Sequence, residues 1–138
     1  MAIGTDPLRR VPLFTGMTES AIASVRQITH EMEFETGQEL VRQGDPGDCF
    51  IVIVDGHARV IQDGAVLGDL GPGDYLGEIA LIDGGPRTAT VTATDRVHAL
   101  VVTRDDFSRL IDDHPSVRLD ILTALTQRIR RNAANPLD

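Results

Sequence analysis

Short apolar segments separated by turn sequences make up the middle of the chain. Two Asp-Gly pairs, Asp55-Gly56 and Asp63-Gly64, divide it into the segments FIVIV, HARVIQ and AVLGDL. An Asp-Gly pair supplies the positive φ angles that a tight hairpin needs, so each pair predicts a hairpin. The later segments RTATVTA and RVHALVV are rich in β-branched residues, which favour strands. Short strands at this spacing predict a β-sandwich or barrel over about residues 31–102.

The beginning of the chain has the spacing of a helix instead. Thr18 is a candidate N-cap, and the apolar residues Ile22, Val25 and Ile28 follow it at helical intervals. This pattern predicts a first helix over about residues 18–30.

Two further helices are predicted after the strands. Thr103 and Asp106 resemble a capping box with Asp in the place of Glu, and an apolar face follows over about residues 104–113. Pro115 interrupts the helical pattern. A longer helix is then predicted over about residues 116–132, with arginines in its last turns, where they suit the negative end of the helix dipole.

Length and charge narrow the class of protein. The 138 residues are expected to form one domain, residues 1–138, with a core that needs no disulfide. A net charge of -8 argues against nucleic-acid binding by this chain alone, because phosphate binding needs a basic surface. The longest apolar run, Phe50 to Val54, is too short to cross a bilayer, and the N-terminus lacks the apolar region of a secretory signal. The single cysteine, Cys49, is expected to be a small buried residue, and the cytoplasm is the expected compartment.

The segment YLGEIALIDGGPRTATV places one Glu and one Arg among small and apolar residues. A helical turn that begins near Gly77 would offer unpaired N–H groups to an anion, and Gly77 has no Cβ to keep a ligand from the backbone. Arg87 can donate two hydrogen bonds to a phosphate. Ala80 and Ala89 leave room for the ligand, and Thr88 adds a hydroxyl donor. The segment is therefore a candidate phosphate site.

Glu78 needs a separate explanation, because a carboxylate repels phosphate. It can only accept hydrogen bonds, which suits a ligand hydroxyl such as a ribose 2′-OH. The alternative is a salt bridge between Glu78 and Arg87 that pins a loop and needs no ligand. The residues alone leave both interpretations open.

The same segment resembles the phosphate-binding cassette of cyclic nucleotide-binding domains, as in catabolite-activator-like regulators and the regulatory subunits of cyclic-nucleotide-dependent protein kinases. The cassette pattern is Gly-Glu-(Ile/Leu)-Ala-Leu, a short variable turn, then Pro-Arg-(Thr/Ser/Ala)-Ala-x-Val. Every position of it is present between Gly77 and Val91. The resemblance covers about residues 8–132. It implies a mainly β fold, a jelly-roll-like β-roll (double-stranded β-helix) with an N-terminal helix and C-terminal helices.

The resemblance also implies a role for each residue of the cassette. Glu78 is expected to bind the ribose 2′-OH, and Arg87 is expected to bind the phosphate oxygens. The rest of the expected anion site consists of Gly77, the backbone N–H groups of Ile79, Ala80 and Ala89, and the Thr88 hydroxyl.

The resemblance also implies contacts to the base and a role for the C-terminal helix. Val66 and Leu67 are expected to lie near the base, and Asn132 falls near a base-contacting position. The last helix would cap the base and, as in the bacterial regulators that this chain resembles, would form a homodimer. No helix-turn-helix follows it here, so no nucleic-acid partner is expected for this chain alone. No membrane partner is expected either, because no apolar run is long enough to cross a bilayer.

A metal enzyme is the rival interpretation of a small all-β fold. His30, His57, His98 and His114 are scattered without a His-x-His motif, so no metal site and no catalytic residue are expected. The chain is predicted to be a non-enzymatic sensor of cAMP, with cGMP as the alternative ligand, that needs no cofactor and couples binding to movement of its C-terminal helix. Two alternatives stay open. The chain could be a regulatory module cut from, or associated with, a larger enzyme or transcription regulator, or a structural domain without a ligand.

Overall fold

Eight strands and two helices make up the described part of the fold. In this computed structural model the described residues are Leu8, Phe14, 17–77, 85–115, Arg118, Leu119 and Leu122. The helices are α1 (Glu19–Gln27) and α2 (Arg104–Asp113). The strands are β1 (Thr29–Phe34), β2 (Glu39–Val41), β3 (Cys49–Asp55), β4 (Ala58–Gln62), β5 (Ala65–Leu70), β6 (Tyr75–Leu76), β7 (Thr90–Ala93) and β8 (Val97–Thr103).

The strands form two antiparallel sheets of four strands each. One sheet has the order β1-β8-β3-β6 and the other has the order β2-β7-β4-β5, so successive strands of the chain alternate between layers along much of its length. Helices lie on either side of the strands in the sequence. This arrangement confirms the predicted mainly β roll with helices at both ends.

Strand β3 lies at the centre of the packing because both of its faces are buried. Phe50 and Val52 point towards the helices and pack in a cluster with residues of α1 and α2. Ile51 and Ile53 point the other way, into the layer between the two sheets. Such two-sided burial explains why FIVIV is continuously apolar rather than alternating. The Phe50 ring also contacts Tyr75, with the ring centroids 5.7 Å apart.

Helix α1 begins as predicted but ends earlier. The Thr18 side chain accepts a hydrogen bond from the Ala21 N–H over 3.1 Å, which confirms the N-cap. The helix stops at Gln27 instead of continuing to about residue 30. Thr29 and the residue after it pair with β8, so long-range strand pairing replaces the last helical turn.

Helix α2 matches its predicted bounds. The Thr103 hydroxyl accepts a hydrogen bond from the Asp106 N–H over 3.2 Å, and Phe107 and Leu110 of the following helix are buried. The predicted helix over about residues 116–132 lies largely outside the described residues. No helix in the described part of the chain is long and apolar enough to cross a membrane.

The two Asp-Gly pairs behave differently. Asp63 and Gly64 have φ angles of 51° and 81° and connect β4 to β5 in a tight hairpin, as predicted. The hairpin predicted at Asp55-Gly56 is wrong, because β3 and β4 lie in different sheets. Gly56 has a φ of 94°, and a Cβ there would overlap the Arg96 carbonyl oxygen. This glycine therefore allows a tight crossing between the sheets rather than a hairpin.

Candidate functional site

The backbone around Arg87 is fixed by the connection between β2 and β3. The Arg87 N–H donates to the Asp45 carbonyl over 2.8 Å, and the Gly44 N–H donates to the Arg87 carbonyl over 2.9 Å. Two residues earlier, the Gly85 carbonyl accepts from the Gly47 N–H over 2.9 Å. Three backbone hydrogen bonds therefore hold the candidate phosphate-binding arginine just before β7.

The Arg87 side chain points inwards and is 8% exposed. It is the one buried charged or polar residue in the part of the chain that the structure describes. Its Nη2 atom donates to the Cys49 carbonyl oxygen over 2.6 Å and lies 3.3 Å from the Cys49 sulfur. Among the described residues no carboxylate forms an ion pair with it. A buried guanidinium that has no counter-charge among the described residues is a favourable site for an anion.

Gly77 follows β6 and contacts the same guanidinium. Its φ angle is 87°, which favours glycine, and a Cβ there would overlap Arg87 Nη1 and lie 2.7 Å from the Cys49 carbonyl oxygen. The fold therefore brings Gly77 and Arg87 together, although ten positions separate them in the sequence. The sequence pattern predicted that Gly77 lets a ligand approach, and the structure adds that Gly77 makes room for the arginine itself.

Cys49 is half-buried rather than fully buried, and its role beside Arg87 was missed by sequence reasoning. Burial raises the pKa of its thiol because the thiolate loses contact with water, while the positive charge of Arg87 opposes that rise. Nothing in the local sequence around Cys49 indicated this contact, because the two residues are 38 positions apart.

Thr88 and Ala89 continue the candidate site towards β7. Thr88 is exposed and Ala89 is half-buried. The Thr88 carbonyl accepts a hydrogen bond from the Gln62 side-chain amide over 3.0 Å. The Thr90 hydroxyl accepts a hydrogen bond from the Gln43 N–H over 2.9 Å. Two glutamines that the sequence analysis did not single out therefore support this segment from neighbouring strands and loops.

The remaining candidate residues divide into two groups. Val66 and Leu67 lie on β5, an outer strand of the second sheet, and are 59% and 60% exposed. Exposed apolar side chains at a sheet edge are available to contact a ligand base. The other candidates lie outside the described residues: Glu78, Ile79, Ala80 and Asn132.

The histidines do not converge on one point. His57 contacts Asp95 over 2.9 Å, His98 contacts Glu31 over 2.8 Å, and both pairs lie at the surface. The described residues contain no group of three or more His, Cys, Asp or Glu side chains that could hold a metal ion.

Comparison with known proteins gives the same family from sequence and from structure. The sequence model of the cyclic nucleotide-binding domain matches residues 31–114. A curated relative is the "CRP-like cAMP-activated global transcriptional regulator" of Mycobacterium tuberculosis, 32% identical over 136 residues. That alignment covers 95% of this chain and 61% of the relative, so the chain spans less than two thirds of the relative's length.

Two solved structures share the fold. The N-terminal domain of a transcriptional regulator from Streptomyces coelicolor A3(2) has a TM-score of 0.87 and 33% identity, covering 95% of this chain and 97% of that one. The structure of cAMP-bound PfPKA-R has a TM-score of 0.72 and 28% identity, covering 91% of this chain and 43% of that one. With the family match over more than half its residues, the chain belongs to the cyclic nucleotide-binding domains, which are non-catalytic ligand-binding domains.

Proposed function

We propose that this domain is a cAMP sensor in which Arg87 binds the cyclic phosphate. The observation that carries the proposal is the buried guanidinium of Arg87, which has no carboxylate partner among the described residues. Removing a guanidinium from water is costly unless another charge or several hydrogen bonds compensate. One of its nitrogens already donates to Cys49, and a phosphate would supply the negative charge that the described residues do not provide.

Because the net charge of the chain is negative, the buried Arg87 is a stronger indication of an anion site. A net charge of -8 does not favour an anionic ligand at the surface in general. An anion site in such a protein needs a local arrangement of donors. Arg87 provides the charged part of that arrangement, and the adjacent Thr88 provides a hydroxyl.

The cyclic nucleotide as a whole would be held by groups on both sides of this phosphate. In the proposal, Gly77 and the N–H groups of Ile79, Ala80 and Ala89 bind the phosphate, and Glu78 accepts a hydrogen bond from the ribose 2′-OH. Val66 and Leu67 lie on an exposed strand where they can contact the base, and Asn132 is a further candidate for base contact.

The choice of cAMP over cGMP is supported by the relatives. The mycobacterial relative is described as cAMP-activated, and one structural neighbour was determined with cAMP bound. The Thr88 hydroxyl can also contact guanine, and cGMP is expected to bind measurably but more weakly than cAMP.

Transmission of binding to the C-terminal helices is the second part of the proposal. Cys49, which accepts the bond from Arg87, follows Asp48, whose carbonyl accepts the N–H of Arg104 over 2.8 Å. Arg104 is the first residue of α2. Arg87 and the start of this helix therefore contact neighbouring residues at the beginning of β3. A ligand shifts the helix only by as much as its affinities for the two helix positions differ.

The output of such a sensor is also a proposal. The relative that this chain matches is a transcriptional regulator, and a homodimer through the C-terminal helix would suit a module of that kind. The open reading frame that encodes this chain shows whether the domain belongs to a transcription regulator or to an enzyme. Sedimentation analysis tests whether the chain forms a homodimer.

Calorimetric titration with cAMP, cGMP and 5′-AMP tests the ligand. We expect cAMP to bind most tightly, cGMP more weakly and 5′-AMP least, because the open monophosphate cannot hold phosphate and ribose in the cyclic geometry. Absence of binding for all three nucleotides would contradict the proposal and favour a structural domain without ligand.

A further inference from the structure

Gln62 is the last residue of β4, and its side chain reaches across to the segment that follows Arg87. Its amide nitrogen donates to the Thr88 carbonyl oxygen over 3.0 Å. Backbone pairing between β4 and β7 runs from Ala58 and Ala93 to Ile61 and Thr90. The Gln62 side chain therefore continues the contact between these strands after their backbone pairing has ended.

The hydrogen bond from Gln62 to the Thr88 carbonyl also determines the direction of the Ala89 N–H. The Thr88 carbonyl and the Ala89 N–H belong to one planar peptide unit, and in a trans peptide they point in opposite directions. Fixing the Thr88 carbonyl towards Gln62 fixes the Ala89 N–H away from β4. Outside the strand ladders, no described residue accepts a hydrogen bond from this N–H. It is one of the three backbone N–H groups expected to complete the anion site.

Side-chain hydrogen bonds hold the turn that follows Gln62 in place. Asp63, the next residue, accepts a hydrogen bond from the Gln43 side-chain amide over 2.8 Å. In return, the Asp63 N–H donates to the Gln43 side-chain oxygen over 3.0 Å. The Gln43 N–H also donates to the Thr90 hydroxyl. The β4–β5 turn is therefore tied to the same loop that fixes the backbone of Arg87.

We propose that Gln62 is a positioning residue for the phosphate site, acting through the Thr88–Ala89 peptide to aim the Ala89 N–H at the bound phosphate. The inference rests on the proposed binding of a cyclic nucleotide and adds a residue from a different strand to that site. Gln62 itself touches no part of the ligand in this account. Its effect is confined to the orientation of one hydrogen-bond donor.

The test compares Gln62→Ala and Gln62→Glu with the native protein in cAMP titrations. Both variants lose the amide donor, and the Glu variant keeps nearly the same size but places a carboxylate oxygen beside the Thr88 carbonyl. A neutral hydrogen bond contributes modestly, so we expect cAMP binding to weaken about 3- to 10-fold for the Ala variant. The Glu variant should lose at least as much. Gln27→Ala, at the exposed end of α1, is the matched control and should bind like the native protein.

A backbone amide NMR spectrum separates positioning from a general loss of structure. In the native protein, cAMP should move the Ala89 amide resonance strongly, and in Gln62→Ala that movement should shrink while resonances of α1 stay unchanged. Native-like affinity in both Gln62 variants, or an undiminished Ala89 shift, would overturn the inference. Failure of the native protein to bind cAMP would instead reject the proposed function, so the two failures are distinguishable.

Discussion

The Nη2 atom of Arg87 lies 2.6 Å from the backbone carbonyl oxygen of Cys49, to which it donates a hydrogen bond. Cys49 is the first residue of β3, the strand whose two faces pack against the helices and between the sheets. The core therefore anchors the acceptor that holds the guanidinium. A charged donor that is already oriented loses less conformational entropy when an anion binds than a mobile surface arginine does.

Gly77→Ala tests whether the space beside this guanidinium is essential. Its Cβ would overlap Arg87 Nη1, so the variant should suffer from overpacking as well as from the positive φ. Gly37 is a matched control, because its φ of 89° is nearly the same as the 87° of Gly77, but a Cβ there meets nothing within 4 Å. In urea unfolding, Gly77→Ala should lose about 1 kcal/mol or more beyond the loss of Gly37→Ala. Equal losses in the two variants would contradict the close contact.

The thiol of Cys49 reports on the same environment. Burial raises its pKa, and the positive charge of Arg87 opposes this rise. The thiolate should therefore form at a higher pH in the folded protein than in the urea-unfolded chain, and at a still higher pH in Arg87→Ala. The measurement is the pH dependence of its reaction with a thiol-specific disulfide reagent, which is unambiguous because the chain has 1 cysteine. Identical pH midpoints for folded and unfolded chains would contradict a net rise in the pKa of this thiol.

Glu78 is tested through the ligand. If its carboxylate accepts the ribose 2′-OH, 2′-deoxy-cAMP should bind the native protein about tenfold or more weakly than cAMP, because hydrogen bonds to charged groups are strong. The difference in affinity between cAMP and 2′-deoxy-cAMP should be smaller in Glu78→Gln. Glu33→Gln, whose carboxylate pairs with Arg96 at the surface, is the control and should keep the full gap. Equal affinities of the native protein for both nucleotides would support the internal salt bridge instead.

Thr88→Ala addresses the choice of base. If the hydroxyl serves the phosphate, affinities for cAMP and cGMP should fall together, by less than about tenfold, since one neutral hydrogen bond is lost. Parallel titrations of both nucleotides against both proteins provide the measurement. A selective loss of cGMP, with cGMP the tighter ligand of the native protein, would show that this domain is a cGMP sensor.

Local patterns in the sequence predicted the features that depend on neighbouring residues. The caps at Thr18 and Thr103 and the hairpin at Asp63-Gly64 each involve groups within a few positions, and all three occur in the structure. The wrong hairpin at Asp55-Gly56 has a long-range cause. Strand β3 pairs with β8 and β6 in one sheet, whereas β4, the next strand along the chain, pairs with β7 and β5 in the other.

The sequence likewise predicted some features of the candidate site but not others. Arg87 stood out because its type and its glycine-rich surroundings suit a phosphate. Its contact with Cys49 and the support of Thr88 by Gln62 could not be predicted, because they join residues 38 and 26 positions apart. Glutamine and cysteine at such positions carry no pattern of their own. Pairing of β4 with β7 brings Gln62 to the site, and Cys49 comes from β3 of the other sheet.

Arg87 is the residue on which the whole account depends, so its replacement is the most direct test. Truncating one partner of a partly desolvated charged pair costs about 2–5 kcal/mol, so Arg87→Ala should weaken cAMP binding roughly 30-fold or more. Arg87→Lys should restore only part of the affinity, because an ammonium cannot reproduce the planar fork of donors. Arg59→Ala, which removes an exposed arginine paired with Asp69, is the control and should bind normally.

The decisive measurement is the dissociation constant of cAMP for folded Arg87→Ala beside that of the native protein, determined by calorimetry under the same conditions. Cooperative thermal unfolding of the variant establishes that it is folded. We expect tight binding by the native protein and a loss of roughly 30-fold or more in the variant. An unchanged dissociation constant in the folded variant would contradict the assignment of Arg87 to the phosphate.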